Sequence, residues 1–244
     1  MGASIWAKIG MRARGVNVII TALTKGRGST SRSGQMTDIL EFPDGVRLAR
    51  LDEIPGPETD RAEAWSRMAR ARISPGFTLA DAPDLRFRYY AEINVNASRI
   101  WAVFCDLCAE LLSDPATLIA GDDDAEPREI AEGDVSKLLN ILEPHQYQLA
   151  HDGFLQFGLL NDQVEEIAEV FVTPTKHFKV WLNDIGRFHA IMKRHELGEQ
   201  TKMEFIDEYP RVTTRLPEAR GIVVDPETLW KDVGNLVSGV TRMQ

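Results

Sequence analysis

The sequence predicts an α+β fold, with a mostly antiparallel sheet and several packed helices. Three observations carry this. Short runs with period-two alternation follow one another in hairpin-like order, so strands pair with their chain neighbours. Stretches with apolar residues three and four apart stand between them as amphipathic helices. The two kinds never settle into the strand–helix–strand repeat that builds a parallel sheet.

Taken in order, residues 36–58 read as extended, with EFPDGVRL turning at Pro43-Asp44-Gly45 as a hairpin. PETDRAEAWSRMARARI follows as a helix that Thr59 or Asp60 can cap, with Trp65, Met68, Ala69 and Ile73 on one side. SPGF closes it. LRFRYYAEINV alternates Leu85, Phe87, Tyr89, Ala91, Ile93 and Val95 against Arg86, Arg88, Tyr90, Glu92 and Asn94, the mark of a half-buried strand. NASRIWAVFCDLCAELL is the clearest helix, with a stripe of Ile100, Val103, Phe104, Leu107 and Leu111 behind a cap at Asn96 or Ser98. ATLIAG reads as a short strand, DDDAEPREIAEGD as an acidic loop, and DVSKLLNILEPHQYQLAHD as a helix broken near Pro144. GFLQFGLLND is a strand, and EVFVTPTKHFKVWLND is two more joined at Thr-Pro-Thr. IGRFHAIMKRHEL forms a helix stopped by Gly198. TKMEFIDEYPRVTTRLPEARGIVV is a last strand region with loops, and DPETLWKDVGNLVSGV a closing helix with Pro226 early in it.

A chain of 244 residues with 43% hydrophobic content builds a full core, and residues 36–244 read as one domain. No stretch reaches the roughly 18 apolar residues of a membrane helix. The two cysteines, Cys105 and Cys108, fit a reducing compartment, so a cytoplasmic location is expected. All 37 acids and 22 of the 28 basic residues lie after residue 35, which gives that part a net charge of −15. Such a domain repels nucleic acid and anionic lipid and favours a basic protein partner. Residues 1–35 are Arg- and Ser-rich without acids, a composition shared with organellar transit peptides. Because MTDILEFPDGVRLARL reads as a natural bacterial cytosolic start, they are taken as a basic, disordered extension that carries no function.

Motifs that would name a reaction are missing from the sequence: no GxSxG, no Gly-rich phosphate loop, no GxGxxG. Cys105-Asp-Leu-Cys108 sits mid-helix, where neither a zinc ribbon nor a redox pair places its thiols. His189 and His195 miss the i,i+4 spacing of a shared metal, so no metal, cofactor or catalytic residue is assigned. Asp122, Asp123 and Asp124 lack the alternating ligands of a calcium loop and read as a solvated loop able to steer a basic surface. In KHFKVWLND the even residues Lys176, Phe178, Val180 and Leu182 point to the core. His177, Lys179 and Trp181 then share the other face, where a tryptophan needs a covering helix or a partner.

Residues 150–215, with GFLQFGLLND, EVFVTPTKHFKVWLND and FIDEYPRV, resemble the small acidic immunity proteins that bacteria pair with contact-dependent or secreted toxins. There a strand pair ending in a Lys-aromatic-Lys run precedes a helix and a final strand. The resemblance implies a binder that shields a toxin and performs no chemistry. The expected function is therefore an acidic cytosolic protein-binding module, an immunity or antitoxin-like inhibitor of a basic toxin domain. Asp122–Asp124 would steer it, and His177, Lys179 and Trp181 would make contact. The alternatives are a hydrolase using His151, Asp152 and His177, which needs two of them to converge in a pocket, and a structural assembly subunit.

Overall fold

Alternation in the sequence becomes sidedness in the structure. A computed structural model describes residues 39–83, 85–122, 125–218 and 222–239, and these lie in one compact unit that starts at residue 38. The expected basic extension over 1–35, with Asp123 and Asp124, lies outside the described residues. In chain order the elements are β1 (Val46–Leu48), α1 (Glu58–Met68), β2 (Gly76–Asp81), β3 (Tyr89–Asn94), α2 (Ile100–Leu111), β4 (Ala116–Asp122) and β5 (Arg128–Gly133). They continue with α3 (Val135–Leu142), α4 (Gln146–His151), β6 (Leu155–Asp162), β7 (Ile167–Val172), β8 (Phe178–Leu182), α5 (Ile185–Arg194), β9 (Arg211–Thr213) and α6 (Pro226–Val237).

Seven strands form one antiparallel sheet in the order β2-β3-β8-β7-β6-β4-β5, and the class is α+β. Ala91, Ile93, Leu155, Phe157, Leu159, Val170, Val172, Phe178, Val180 and Leu182 point from one face into a core shared with the apolar sides of α2 through α6. Phe104 of α2 stands edge-on to Phe157 with ring centres 4.9 Å apart, and Phe77 of β2 meets Phe188 of α5 at 5.2 Å. Two helix starts follow the sequence chemistry, whereas the caps expected for α1 and α2 do not form: α1 begins after Pro57, ahead of Thr59 and Asp60, and the side chains of Asn96 and Ser98 bond Glu41 instead. Asp184 accepts from the Arg187 N–H at 2.9 Å, and Asp225 accepts from the Thr228 N–H at 3.1 Å, with Pro226 in the first turn where no N–H is needed. A second, smaller core gathers Leu40, Val46, Ala49, Ile54, Met68, Ile73, Ile206 and Tyr209 around α1 and a two-stranded sheet.

Three elements depart from expectation. EFPDGVRL makes no local hairpin: β1 pairs with β9, Val46 opposite Thr213. The Gly45 backbone crosses Gly153 and Thr214 so closely that a Cβ at Gly45 would collide with backbone, and Gly45 exchanges hydrogen bonds with His151 and Thr214. β5 falls inside the expected acidic loop, because an edge strand with one neighbour tolerates the charged side chains of REIAEG. β2 follows a Gly76 read as a stop signal; its start is held by the Phe77 N–H to Gly198 and the Gln200 N–H to Phe77.

Phe104 is fully buried at the meeting of α2 and the sheet. Phe104→Ala should lower stability by about 3–5 kcal/mol, read as a fall in the urea midpoint. A midpoint within error of the parent would refute this account of the core.

Candidate functional site

The hairpin between β7 and β8 carries the residues the sequence singled out. Its loop runs Thr173-Pro174-Thr175-Lys176-His177, closed by the Lys176 N–H to the Thr173 carbonyl and the Thr173 N–H to the His177 carbonyl, each 3.0 Å. Pro174 suits the second position, where φ is fixed near −65°. Lys176 takes the left-handed position, φ 67°, that such loops usually give to glycine. The reason is its side chain: Nζ is buried and donates to the Leu155 carbonyl at 2.6 Å, 5.8 Å from the centre of the Phe157 ring. Burial, opposed by the charge of Asp152, brings its pKa down to about 7.

His177 is buried beside it as a hydrogen-bond hub. The Thr175 hydroxyl donates to Asp207 at 3.0 Å and the Thr173 hydroxyl donates to the His177 carbonyl at 3.1 Å. With both hydroxyl hydrogens committed, Nδ1 carries the proton shared among Thr173 at 3.0 Å, Thr175 at 3.2 Å and Asp207 at 3.2 Å. Burial lowers the imidazole pKa, against the pull of Asp207, so the ring is neutral at neutral pH. Phe205 tilts against it with ring centres 5.0 Å apart. Every named partner of this ring meets Nδ1, which makes it an anchor between the hairpin and residues 205–207.

Beyond His177 the same face presents two rungs across β3, β8 and β7. Tyr90, Trp181 and Glu169 form one rung, and Glu92, Lys179 and Phe171 the next. Trp181 is only 6% exposed and tilts against Tyr90 with ring centres 5.2 Å apart, and Lys179 is half-buried. The Tyr90 hydroxyl donates to Glu92 at 2.9 Å. Glu169, 1% exposed, leaves Oε1 without a hydrogen-bond partner, and burial pushes its carboxyl to about 8 although Lys179 pulls the other way. Sequence reasoning passed over Glu169. Its signal was a lone acid inside the otherwise apolar strand IAEVFV.

The remaining candidates sit apart. Asp122 ends β4 and forms an ion pair with Arg215. His151 stacks on Tyr147 at 4.7 Å and meets Asp44 at 3.2 Å. Asp152 is buried and accepts from the Phe154 N–H at 2.9 Å and the Leu216 N–H at 3.2 Å. His151, Asp152 and His177 thus have separate partners, and the carboxylate that meets His177 is Asp207. Burial, joined by the charges of Asp106 and Glu143, raises the Cys105 thiol to about 11; burial raises that of Cys108 as well, so neither is a reactive thiolate. His195 of α5 lies 2.9 Å from Asp106 of α2, which also pairs with Arg194 at 2.9 Å, a tie between helices. Among the described residues, no group of three or more His, Cys, Asp or Glu is placed to hold a metal, and no helix is long and apolar enough to cross a membrane.

At the other end of the sheet the loops are bound into a rim. Arg86 donates to Asp162 at 2.6 Å and its carbonyl accepts from the Ile167 N–H at 2.9 Å. The Arg88 N–H donates to Asn183, whose side chain donates to the Ile167 carbonyl at 3.0 Å. The rim exposes Val164 at 93% and Leu85 at 50% beside Asp81, Glu165 and Glu166. Compared with known proteins, the chain matches no family model, no curated protein and no solved structure.

Glu169 makes stability depend on pH in a defined window. Folded, it holds its proton up to about pH 8, whereas the unfolded group releases it near its ordinary 4.5. The contribution of Glu169 to stability therefore falls as pH rises from 4.5 to 8 and is level outside that range. Glu169→Gln should remove the slope and exceed the parent by a few kcal/mol at pH 8, while matching it near pH 4. Urea midpoints of both proteins across this range check it; parallel curves would remove Glu169 as the cause.

Proposed function

We propose that this chain is an acidic protein-binding module whose partner presents a basic surface. The observation that supports it most directly is the rim. Residues 82–83 and 85–88, 163–166 and 183–184 are tied together through Arg86, Arg88 and Asn183, so the acids and apolar tips they carry keep fixed positions. Glu165, Glu166 and Asp81 make no ion pair among the described residues, and they flank the exposed Val164 and Leu85. An apolar centre within an acidic border is suited to a basic partner, which the field collects and the apolar contact retains. The net charge of −15 over residues 36–244 acts in the same sense at longer range. The finer reading, an immunity-type inhibitor that shields a basic toxin domain, rests on the resemblance over residues 150–215. The contact surface in this proposal is the rim. His177 and Trp181 are both buried and support the sheet beneath.

The test is affinity capture from the source lysate at low salt, run in parallel with the parent chain and with the double variant Glu165→Lys, Glu166→Lys. The expected outcome is one basic protein at near-equal stoichiometry on the parent, released by salt and reduced at least tenfold on the variant. Equal recovery on both would place the contact elsewhere. An acidic protein retained through a salt wash would overturn the electrostatic reading altogether.

A further inference from the structure

The exposed tryptophan among the described residues is Trp65, 45% accessible, on the α1 side that its helical spacing placed inward. It stands over a groove of about 290 Å³ between α1 and the end of β1. Leu48, Ala49 and Arg50 form one wall, and Trp65, Met68 and Ala69 the other. Leu51, next to Arg50, is also half exposed. The walls are thus mostly hydrocarbon and indole, with one guanidinium at the edge.

The arginines around the groove divide into two kinds. Arg47 is engaged by Glu53 through two bonds of 2.7 and 2.6 Å, and Arg67 donates to the Glu208 carbonyl while lying over the Tyr209 ring at 5.1 Å. Neither Arg50 nor Arg61 makes a close ion pair among the described residues, although the charge of Arg50 acts on Glu53. Arg61 lies one turn before Trp65 on the same side of α1, and its Nε is buried without a hydrogen-bond acceptor. Of the acids on α1, helical spacing turns Asp60 and Glu63 to the far side; Glu58, two turns from Trp65, begins the helix. Glu53 is already saturated by Arg47 and by the Arg50 N–H. Arg50 thus lines an apolar slot, with Asp52 close by in the chain, and Arg61 stands one helical turn from Trp65 with a buried donor that lacks an acceptor.

We propose that this groove binds a small apolar carboxylate. Its ring or hydrocarbon body lies against Trp65, Met68 and Leu48, and its anionic end takes hydrogen bonds from Arg50 and Arg61. An aromatic face suits a flat body, and guanidinium favours carboxylate through paired, charge-assisted bonds. A volume of 290 Å³ sits at the lower end of small-molecule sites, about 300–1,000 Å³. The inference is independent of the rim and of its basic partner.

The probe is 2-naphthoate, titrated into the full chain at fixed ionic strength and followed by amide shifts in NMR spectra. Neutral 2-naphthol and cationic 2-naphthylmethylamine run beside it. Saturable binding with Kd of about 0.1–1 mM is expected, with shifts confined to residues 48–51 and 61–69. The naphthol should bind about tenfold more weakly. Arg50→Gln, at an exposed position, and Arg61→Gln, at a half-buried one, should each weaken naphthoate about three- to tenfold and leave naphthol unaltered. Trp65→Ala should weaken both. Absence of saturation by 10 mM, or equal affinity for acid and alcohol, or unchanged affinity in both arginine variants, would overturn the proposal. Preference for the amine would also overturn it, and would mark the groove instead as a contact for basic segments.

Discussion

A turn taken out of water must find a partner inside the chain for each polar group it carries. The loop from Thr173 to His177 is held to that constraint because β6, β7 and β8 are buried on both faces. Lys176 meets it toward the helices by donating to the Leu155 carbonyl on β6. On the opposite side His177, Thr173 and Thr175 meet it together with Asp207. The carboxylate of Asp207 belongs to the segment that leads into β9, and β9 pairs with β1 in the smaller core. One buried turn thereby joins the large sheet to the smaller lobe. An unpaired polar atom at this depth costs roughly 1–3 kcal/mol, so the network is held as a unit.

That use of polar chemistry bears on function. Buried polar side chains are mostly engaged in holding loops: Asp152 receives two backbone N–H groups, Gln148 bonds Val224 both ways, and Asn161 clamps Ser113 and Pro115. His177 likewise uses Nδ1 to hold Thr173, Thr175 and Asp207. On the outside lie an acidic rim at one end of the sheet and, in the smaller lobe, an apolar groove with Arg50 at its edge.

Much of the fold was legible because local pattern and tertiary role agree. The stripe of α2, the period of two in β3, the break at Pro144 and the loop at Thr-Pro-Thr all follow from residues close together in the chain. Sequence reasoning failed where a distant neighbour decides. β1 has its partner more than a hundred residues away, β5 is stabilised from one side only, and β2 starts at a Gly76 that reads as a stop. The candidate site divides the same way. That His177, Lys179 and Trp181 share a face followed from parity, but the depth at which His177 and Trp181 lie did not. Nor did the sequence reveal that the exposed indole is Trp65, because α1 meets only a small core on its inner side and leaves the indole at its edge.

The pairing of β1 with β9 has a consequence for biosynthesis. Residues 46–48 leave the ribosome early, whereas their partners at 211–213 arrive near the end of the described chain. At typical elongation rates the first strand waits on the order of ten seconds or longer before its ladder can form. Throughout that interval Val46, Ile54 and Met68 lack Ile206 and Tyr209, and the smaller lobe stays open. The seven-stranded sheet has no such dependence, since each of its strands lies between Gly76 and Leu182. The sheet can thus form before the lobe that carries the Trp65 groove closes, and α6, with Leu229, Trp230 and Val233, completes the large core after both.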